Sequence, residues 1–322
     1  TKYYPVKTLE NLNLFALTSG RHQKVIKDET EWKFVDNSQE SLLNKISTNT
    51  VSLKAFSNDR IFRGITTGAN HIFIIDENIK KQIVKFDPQS KKYIHPYVEP
   101  TKINQWNTPN TKKYIIGTFP SLSLDIDKLP GLKQYLKNFK KQLDPKPKNY
   151  SGNNWEGRKP GSYKWFEIQD NIAYNRFFTE PKIIYIHTAV KHQFYFDVEG
   201  RYINNSCYMI ISDSQFLFCF LNSKLFEWFK KIKFVAYGDA EESGRAKLDY
   251  NKMITVPIRK VSKSLEQLFF NLVQDIKTKK SQGKNTKTLE QMIDNLIYSL
   301  YKLSYEEVKV IDPEFPLSKE EY

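Results

Sequence analysis

Apolar residues in the first 264 positions come in short runs rather than long stripes. Each run is rich in Ile, Val, Phe and Tyr and is bounded by Asn, Asp, Gly or Pro, which is typical of β-strands. The predicted strands are residues 32–35, 71–75, 114–118, 182–186, 193–197, 207–211 and 253–258. The turn sequence at 197–200 predicts a hairpin with a strand on either side. Helical spacing is rarer and predicts helices at residues 41–47, 129–143 and 215–231.

Residues 265–322 carry helical periodicity with clear start signals. Ser264 and Gln267 form a capping-box pattern before an apolar helical stripe, and residues 282–285 break it. Thr288 and Ser304 open two more helices. This pattern predicts a helical hairpin that packs back on the body, with a coiled-coil partner surface as the alternative.

These patterns predict an α+β fold. It consists of mixed, mainly antiparallel sheets with a few helices, followed by a C-terminal helical hairpin. We divide the chain into a body, residues 1–264, and a helical tail, residues 265–322. Residues 1–39 of the body are an unassigned lead-in.

The charge is unevenly distributed along the 322 residues. The chain has 50 Lys and Arg against 36 Asp and Glu, a net charge of +14. Residues 265–322 hold 8 basic and 10 acidic residues, so the body carries the whole excess. A basic protein favours polyanions such as DNA, RNA or an acidic membrane surface. The alternative is a compositional bias towards Lys, Asn and Ile.

The most basic stretch runs from residue 131 to residue 164, with 9 Lys and Arg against 2 acids. Its second half, residues 144–162, is polar and rich in Gly, Pro, Asn and Ser, which predicts a long loop. Aromatic residues are interleaved with the basic ones, namely Tyr150, Trp155, Tyr163 and Trp165. Basic and aromatic residues on a loop favour nucleic-acid contact. The alternative is a solvated helix face followed by a surface loop.

Catalytic motifs are absent from the sequence. It contains no Gly-x-Ser-x-Gly, no Walker loop, no Gly-x-Gly-x-x-Gly and no Pro-Pro dipeptide. Glu307 and Lys309 match the end of a metal-nuclease pattern, but they lie in a predicted terminal helix. His187 and His192 lack a carboxylate at a suitable spacing, so we interpret them as surface or DNA-facing residues rather than acid–base groups. The pattern is that of a recognition module separated from a catalytic parent.

The hydropathy and the cysteines of the chain indicate its cellular compartment. No apolar run approaches the ~18 residues of a membrane helix. Cys207 and Cys219 lie in apolar runs and are expected to be buried thiols in a reducing compartment. We therefore expect a cytoplasmic protein with no membrane partner. Because the sequence starts at Thr1 without Met, we also expect a fragment of a longer chain.

One segment resembles a known family. Residues 61–76 contain the pattern Gly-Ile-x-Thr-Gly-x-Asn at Gly64, Ile65, Thr67, Gly68 and Asn70. This resembles the opening signature of the C-terminal target-recognition (specificity) domain of TaqI-like and Eco57I-like adenine DNA methyltransferases, including type IIG restriction–modification enzymes. Further blocks resemble the family in the same order, at residues 119–136, 165–169, 181–184, 204–208, 221–225, 256–258 and 289–310.

The resemblance implies a sequence-specific module for double-stranded DNA in a bacterial restriction–modification adenine-N6 methyltransferase. Residues 1–264 would then be the target-recognition domain. The catalytic methyltransferase domain of the same parent chain is the implied second partner. The resemblance implies no cofactor in this region. For the parent it implies S-adenosylmethionine, and Mg²⁺ if a nuclease domain is present. Whether the parent is a methyltransferase alone or also a type II restriction endonuclease stays open.

Base-edge reading uses Arg or Lys on guanine and Asn or Gln on adenine, while phosphates fix the register. From loop position and side-chain type, the predicted DNA-binding residues are Arg158, Lys159, Lys164, Lys191, His192, Arg245 and Lys247. Glu241 or Glu242 could accept from cytosine. Gly64 and Gly68 are predicted to be structural turn residues. No residue is predicted to be catalytic or to bind a metal. The alternative functions are a protein-interaction module acting through the tail, or a nuclease using Glu307 and Lys309.

Overall fold

The computed structural model describes residues 38–106, 112–234 and 246–322 in full, and only the backbone of residues 2–3, 21–22, 24–28, 31–35 and 37. The strands are β1 (Lys2–Tyr3), β2 (Arg21–His22), β3 (Lys24–Asp28), β4 (Glu31–Val35), β5 (Val51–Ser52), β6 (Ile61–Arg63), β7 (Ile74–Asp76), β8 (Ile94–Pro96), β9 (Lys113–Ile116), β10 (Lys182–Ile186), β11 (Thr188–Ala189), β12 (Phe194–Asp197), β13 (Cys207–Ile211), β14 (Ala246–Lys247) and β15 (Pro257–Ile258). The helices are α1 (Asn37–Ser47), α2 (Leu53–Phe56), α3 (Asn70–Phe73), α4 (Glu77–Phe86), α5 (Pro130–Lys137), α6 (Lys140–Leu143), α7 (Gln215–Leu221), α8 (Lys224–Lys233), α9 (Tyr250–Met253), α10 (Lys263–Ser281), α11 (Lys287–Leu300) and α12 (Tyr305–Ile311). Short 3-10 turns lie at Pro88–Tyr93, Pro100–Lys102, Pro120–Leu122, Ile126–Lys128 and Asn175–Thr179. The predicted α+β class, with antiparallel sheets and C-terminal helices, is confirmed.

A four-stranded antiparallel sheet, in the order β12-β10-β13-β6, separates two hydrophobic cores. Successive residues of β10 face opposite sides, because side chains alternate along a strand. Ile183 and Tyr185 therefore enter one core and Ile184 the other. Burial on both faces explains why β10 is a continuous apolar run rather than an alternating one.

The first core joins the sheet to the helices α7 and α8 and to the tail. Phe269 of α10 lies 5.4 Å from Phe216, and Tyr301 stacks on Phe220 at 5.5 Å between ring centroids. Ile276 and Ile297, from the two long tail helices, are fully buried in the same core. Most of the apolar residues of the tail thus pack inside the chain, whereas Leu268, Phe270 and Met292 are exposed. The boundary at residue 264 stays a prediction.

The second core lies beneath a three-stranded antiparallel sheet, in the order β7-β9-β8. Tyr202 is stacked between His95 and Phe178, each at 4.3 Å between ring centroids. Stacked aromatic rings contribute beyond the area that they bury. This core supports the segment that bears the Gly-Ile-x-Thr-Gly-x-Asn pattern, since Ile65 and Ala69 are both buried in it.

Three strand predictions differ from the structure. Residues 71–75 form the end of α3 and only the start of β7, because an apolar run alone does not separate a helical turn from a strand. In residues 253–258 only β15 is a strand, since the Asp249 side chain caps α9 just before it. The predicted hairpin at 197–200 is wrong, because β12 pairs with β10 and Tyr202 bridges Tyr97.

Several helix boundaries also differ. The predicted helix at 129–143 is divided into α5 and α6, and that at 215–231 ends at α7 and restarts at α8, where the Ser223 hydroxyl caps the new helix. In the tail, Ser262 rather than Ser264 caps α10. The capping box at Ser304 is formed with Glu307 as the sequence indicates. Helix α4 was not predicted, although Asp76 caps it.

Candidate nucleic-acid interface

The Gly-Ile-x-Thr-Gly-x-Asn segment makes a tight turn with no room for side chains at its glycines. A Cβ on Gly64 would lie 2.1 Å from the carbonyl oxygen of Asn204. Gly68 has φ +77°, and a Cβ there would lie 2.7 Å from Gln169 Oε1. Thr67 donates from its hydroxyl to Asn70 Oδ1 at 2.7 Å and closes the turn. Gly68 thus has the left-handed backbone conformation, whereas Gly64 is fitted by its close approach to the Asn204 carbonyl rather than by an unusual φ.

Arg158, the central cation of the basic loop, points into the protein. Its side chain is only 4% exposed. Its guanidinium donates to five backbone carbonyls, those of Thr67, Leu143, Lys164, Trp165 and Glu167, at 2.6–3.2 Å. It also lies over the Tyr163 ring at 4.3 Å. The prediction treats Arg158 as an exposed DNA contact, whereas these contacts tie the loop to the glycine turn.

Lys159 and Lys164, on either side of Tyr163, are exposed, and their contact with DNA stays a prediction. The Tyr163 hydroxyl donates to the Lys159 carbonyl, and the Tyr163 ring is buried. The Lys164 side chain is 59% exposed, and Nζ lies 4.0 Å from Glu167 Oε1. Glu167 is 3% exposed and accepts from the Lys164 amide at 2.7 Å. Both ammonium groups therefore extend from a backbone that buried groups hold in place.

The second group of predicted residues is brought together by a two-stranded ribbon. Thr188 of β11 pairs with Lys247 of β14, antiparallel. Lys191 follows β11 and is exposed. Lys247 Nζ lies 3.7 Å from Asp249 Oδ2, which partly neutralises it. Arg245, Glu241 and Glu242 lie outside the described residues.

His192 occupies the interior rather than the surface. It is 7% exposed, and Nδ1 lies 3.3 Å from the buried Nζ of Lys230. Burial, reinforced by the Lys230 charge, lowers the pKa of His192 to about 3. The imidazole is neutral at physiological pH and contributes no positive charge to the interface. A cavity of about 810 Å³ adjoins it, and its lining includes Trp106, Lys191 and Asp294.

A polar recess of about 290 Å³ lies where β6 ends. It is lined by Arg63, Ile186, His187, Thr188, Asn205 and Ser206. Arg63 was not among the predicted residues. Its sequence signal is its position directly before Gly64. Desolvation, and then the charges of Lys247 and Arg63, lower the pKa of His187. Lys247 of the β11–β14 ribbon therefore lies close enough to the recess for its charge to act on His187.

Glu307 and Lys309, the residues of the alternative nuclease function, are engaged in structural contacts. Glu307 completes the Ser304 capping box and pairs with Lys45 Nζ at 2.5 Å, while Lys309 Nζ donates to the Pro313 carbonyl. Among the described residues, no three His, Cys, Asp or Glu side chains are grouped to hold a metal ion. Burial raises the pKa of the Cys207 thiol to about 12. None of the described helices is both long and apolar enough to cross a membrane.

The family model of the TaqI-like C-terminal specificity domain matches residues 23–240, and the chain belongs to this family. The type IIL restriction–modification enzyme MmeI, solved in complex with DNA, shares the fold with a TM-score of 0.50 at 15% identity. The match covers 84% of this chain and 36% of that one. The type IIG restriction endonuclease BpuSI matches with a TM-score of 0.42 at 12% identity, over 87% of this chain and 33% of its own. The chain thus spans about a third of the length of these enzymes.

Proposed function

We propose that this chain is the sequence-specific DNA-recognition module of a restriction–modification enzyme that methylates adenine at N6. Membership of the specificity-domain family over residues 23–240 is the observation that carries this proposal. The methyltransferase site, its S-adenosylmethionine, and any Mg²⁺-dependent nuclease site belong to other parts of the parent chain. The part described here holds the duplex and reads its bases.

The charge distribution supports binding to the phosphate backbone. The net charge is +14, and the slightly acidic tail leaves the excess on the body. Lys159, Lys164 and Lys191 expose their side chains there. Each phosphate contact releases counterions, so affinity falls with salt by a slope of about 0.9 per contact on logarithmic axes.

A double charge reversal in the basic loop, Lys159→Glu with Lys164→Glu, tests this proposal. We expect binding to a duplex to weaken more than tenfold and the salt slope to fall by about 2. Fluorescence anisotropy of labelled duplex DNA, titrated at several salt concentrations, measures both quantities.

A matched control is Lys279→Glu with Lys284→Glu, which changes the net charge equally at exposed tail positions. We expect this variant to keep most of the affinity. Equal losses in the two variants would show only a general charge effect. Unchanged affinity in the loop variant would contradict the assignment of the loop to DNA.

A further inference from the structure

Arg63 stands at the end of a strand whose backbone is fixed on every side. Its Cα pairs with that of Tyr208 across the central sheet. The Tyr174 hydroxyl donates to the Arg63 carbonyl at 2.7 Å, and Phe62 stacks on Tyr174 at 4.6 Å between ring centroids. Gly64 follows immediately and lies against the backbone of Asn204. The base of the Arg63 side chain therefore has one position.

The guanidinium plane is also held. Arg63 Nε donates to the Asn205 carbonyl at 2.9 Å. The side chain is exposed, and the hydrogen bonds of the described residues give no acceptor to Nη1 or Nη2. The Nε bond uses the inner edge of the group, so the two terminal amino groups face outward as a fork. Such a planar pair of donors matches two acceptors on one rigid ligand.

Apart from Arg63, the residues that line the recess carry no fixed charge, although the charge of Lys247 acts on His187. Thr188, Asn205 and Ser206 supply hydroxyl and amide groups to the recess. Desolvation, and then the charges of Lys247 and Arg63, lower the pKa of His187, which favours its neutral imidazole. An Arg fork also fits a phosphate, which offers only acceptors. The amide and hydroxyl groups beside the fork can accept as well as donate, and only a base edge presents donors for them.

We propose that Arg63 is a specificity-determining residue that reads one guanine in the major groove, with Nη1 and Nη2 donating to O6 and N7. This inference rests on the proposed DNA-recognition function. The recess receives the edge of that base pair, and the neighbouring amide and hydroxyl groups contact its flank. The exposed lysines of the loop and ribbon hold the phosphates on either side.

Selection from a pool of randomised duplexes, with the whole 322-residue chain, tests the proposal. The wild-type chain is expected to enrich a motif that contains a guanine read by Arg63. Arg63→Ala should lose the preference at that one position by about 5- to 150-fold and keep the rest of the motif. Arg63→Lys should also lose it, because Lys keeps the charge but not the fork.

Arg60→Ala is the matched control, since Arg60 lies on the same segment and pairs with Glu180 at 3.1 Å. It should keep the complete motif. Far-UV circular dichroism and thermal melting verify that all variants are folded.

The outcomes separate the two proposals. If the wild-type chain enriches no motif, the proposed function fails. If it enriches one and Arg63→Ala keeps every position, the role of Arg63 is wrong. A uniform loss of affinity in Arg63→Ala for all sequences, with a salt slope reduced by about 1, would make Arg63 a phosphate contact and also overturn the inference.

Discussion

Replacing Arg158 by Ala separates a structural role from a DNA contact at the centre of the basic loop. Its guanidinium donates hydrogen bonds to five backbone carbonyls, and the residue is 4% exposed. Burial lowers the pKa of Arg158 to about 10, so the group stays charged at neutral pH. We expect Arg158→Ala to destabilise the fold first and to affect DNA binding only through the loop.

The magnitude follows from the number of partners. Hydrogen bonds to a charged group contribute about 1.5–3 kcal/mol each. Five independent bonds would therefore approach the whole free energy of unfolding of a typical domain, about 5–15 kcal/mol. They are not independent, because one guanidinium makes all five and its desolvation costs several kcal/mol. We expect a net loss of about 3–5 kcal/mol, as for other broken buried charge networks.

Urea unfolding, followed by circular dichroism and tryptophan fluorescence, measures this loss, and Trp155 and Trp165 report on the loop itself. Arg158→Lys should lose at least about 2 kcal/mol, because one ammonium cannot reach all five carbonyls. The exposed neighbour is the control, and Lys159→Ala should change the free energy of unfolding by less than about 0.5 kcal/mol. If Arg158→Ala keeps its stability within about 1 kcal/mol and still loses DNA affinity, the structural reasoning is refuted.

Three further predictions concern stability. Burial raises the pKa of Asp294 from its usual 3.8 to about 6 in the folded protein. The folded state therefore holds this proton more tightly than the unfolded state, and the free energy of unfolding falls as the pH rises from 3.8 to about 6. Asp294→Asn should therefore gain about 2 kcal/mol over wild type between about pH 4.5 and pH 8 in urea unfolding, and a constant difference would contradict this. Gly64→Ala should cost about 2–3 kcal/mol by forcing Cβ against the Asn204 carbonyl, measured in the same way, and a neutral result would mean that the turn adapts. Ile276→Ala should cost about 2–5 kcal/mol in a single cooperative transition, whereas a separate tail transition in calorimetry would show that tail and body unfold independently.

Local signals predicted the three tail helices, because apolar spacing and caps lie within a few residues of one another, but the first two helices have their N-caps two residues earlier than predicted, at Ser262 and Thr286. The Ser304–Glu307 box forms as expected. Fold class was also predictable, because the strands are short apolar runs bounded by turn residues and the helices carry apolar residues at helical spacing. The failures at 71–75 and 253–258 share one cause. Their apolar residues are buried whether the backbone is helical or extended, so burial alone gave no preference.

The candidate site was less predictable because its residues are placed by long-range contacts. Arg158 looks exposed in a polar loop, yet one of its acceptors, Thr67, lies 91 positions earlier in the chain. In the sequence, His192 looks like a surface residue between strands. Its burial beside Lys230 depends on a contact between residues 38 positions apart, which local patterns do not show. The pairing of β11 with β14, which unites Lys247 with the segment before Lys191, likewise depends on tertiary structure.

The buried Arg158 gives the basic loop a rigid base, and this bears on how the loop would bind. Gly68 leaves room for the Arg158 side chain, since a Cβ there would lie 2.9 Å from Arg158 Cδ. The glycine turn and the loop are therefore one packed unit, and Lys159 and Lys164 extend from it. Because these contacts hold the loop backbone without DNA, we expect binding to order mainly the side-chain ends, which lowers the entropic cost of association. The exposed lysines that suggest DNA binding are thus positioned by a buried cation, Arg158, whose own side chain is withdrawn from the surface.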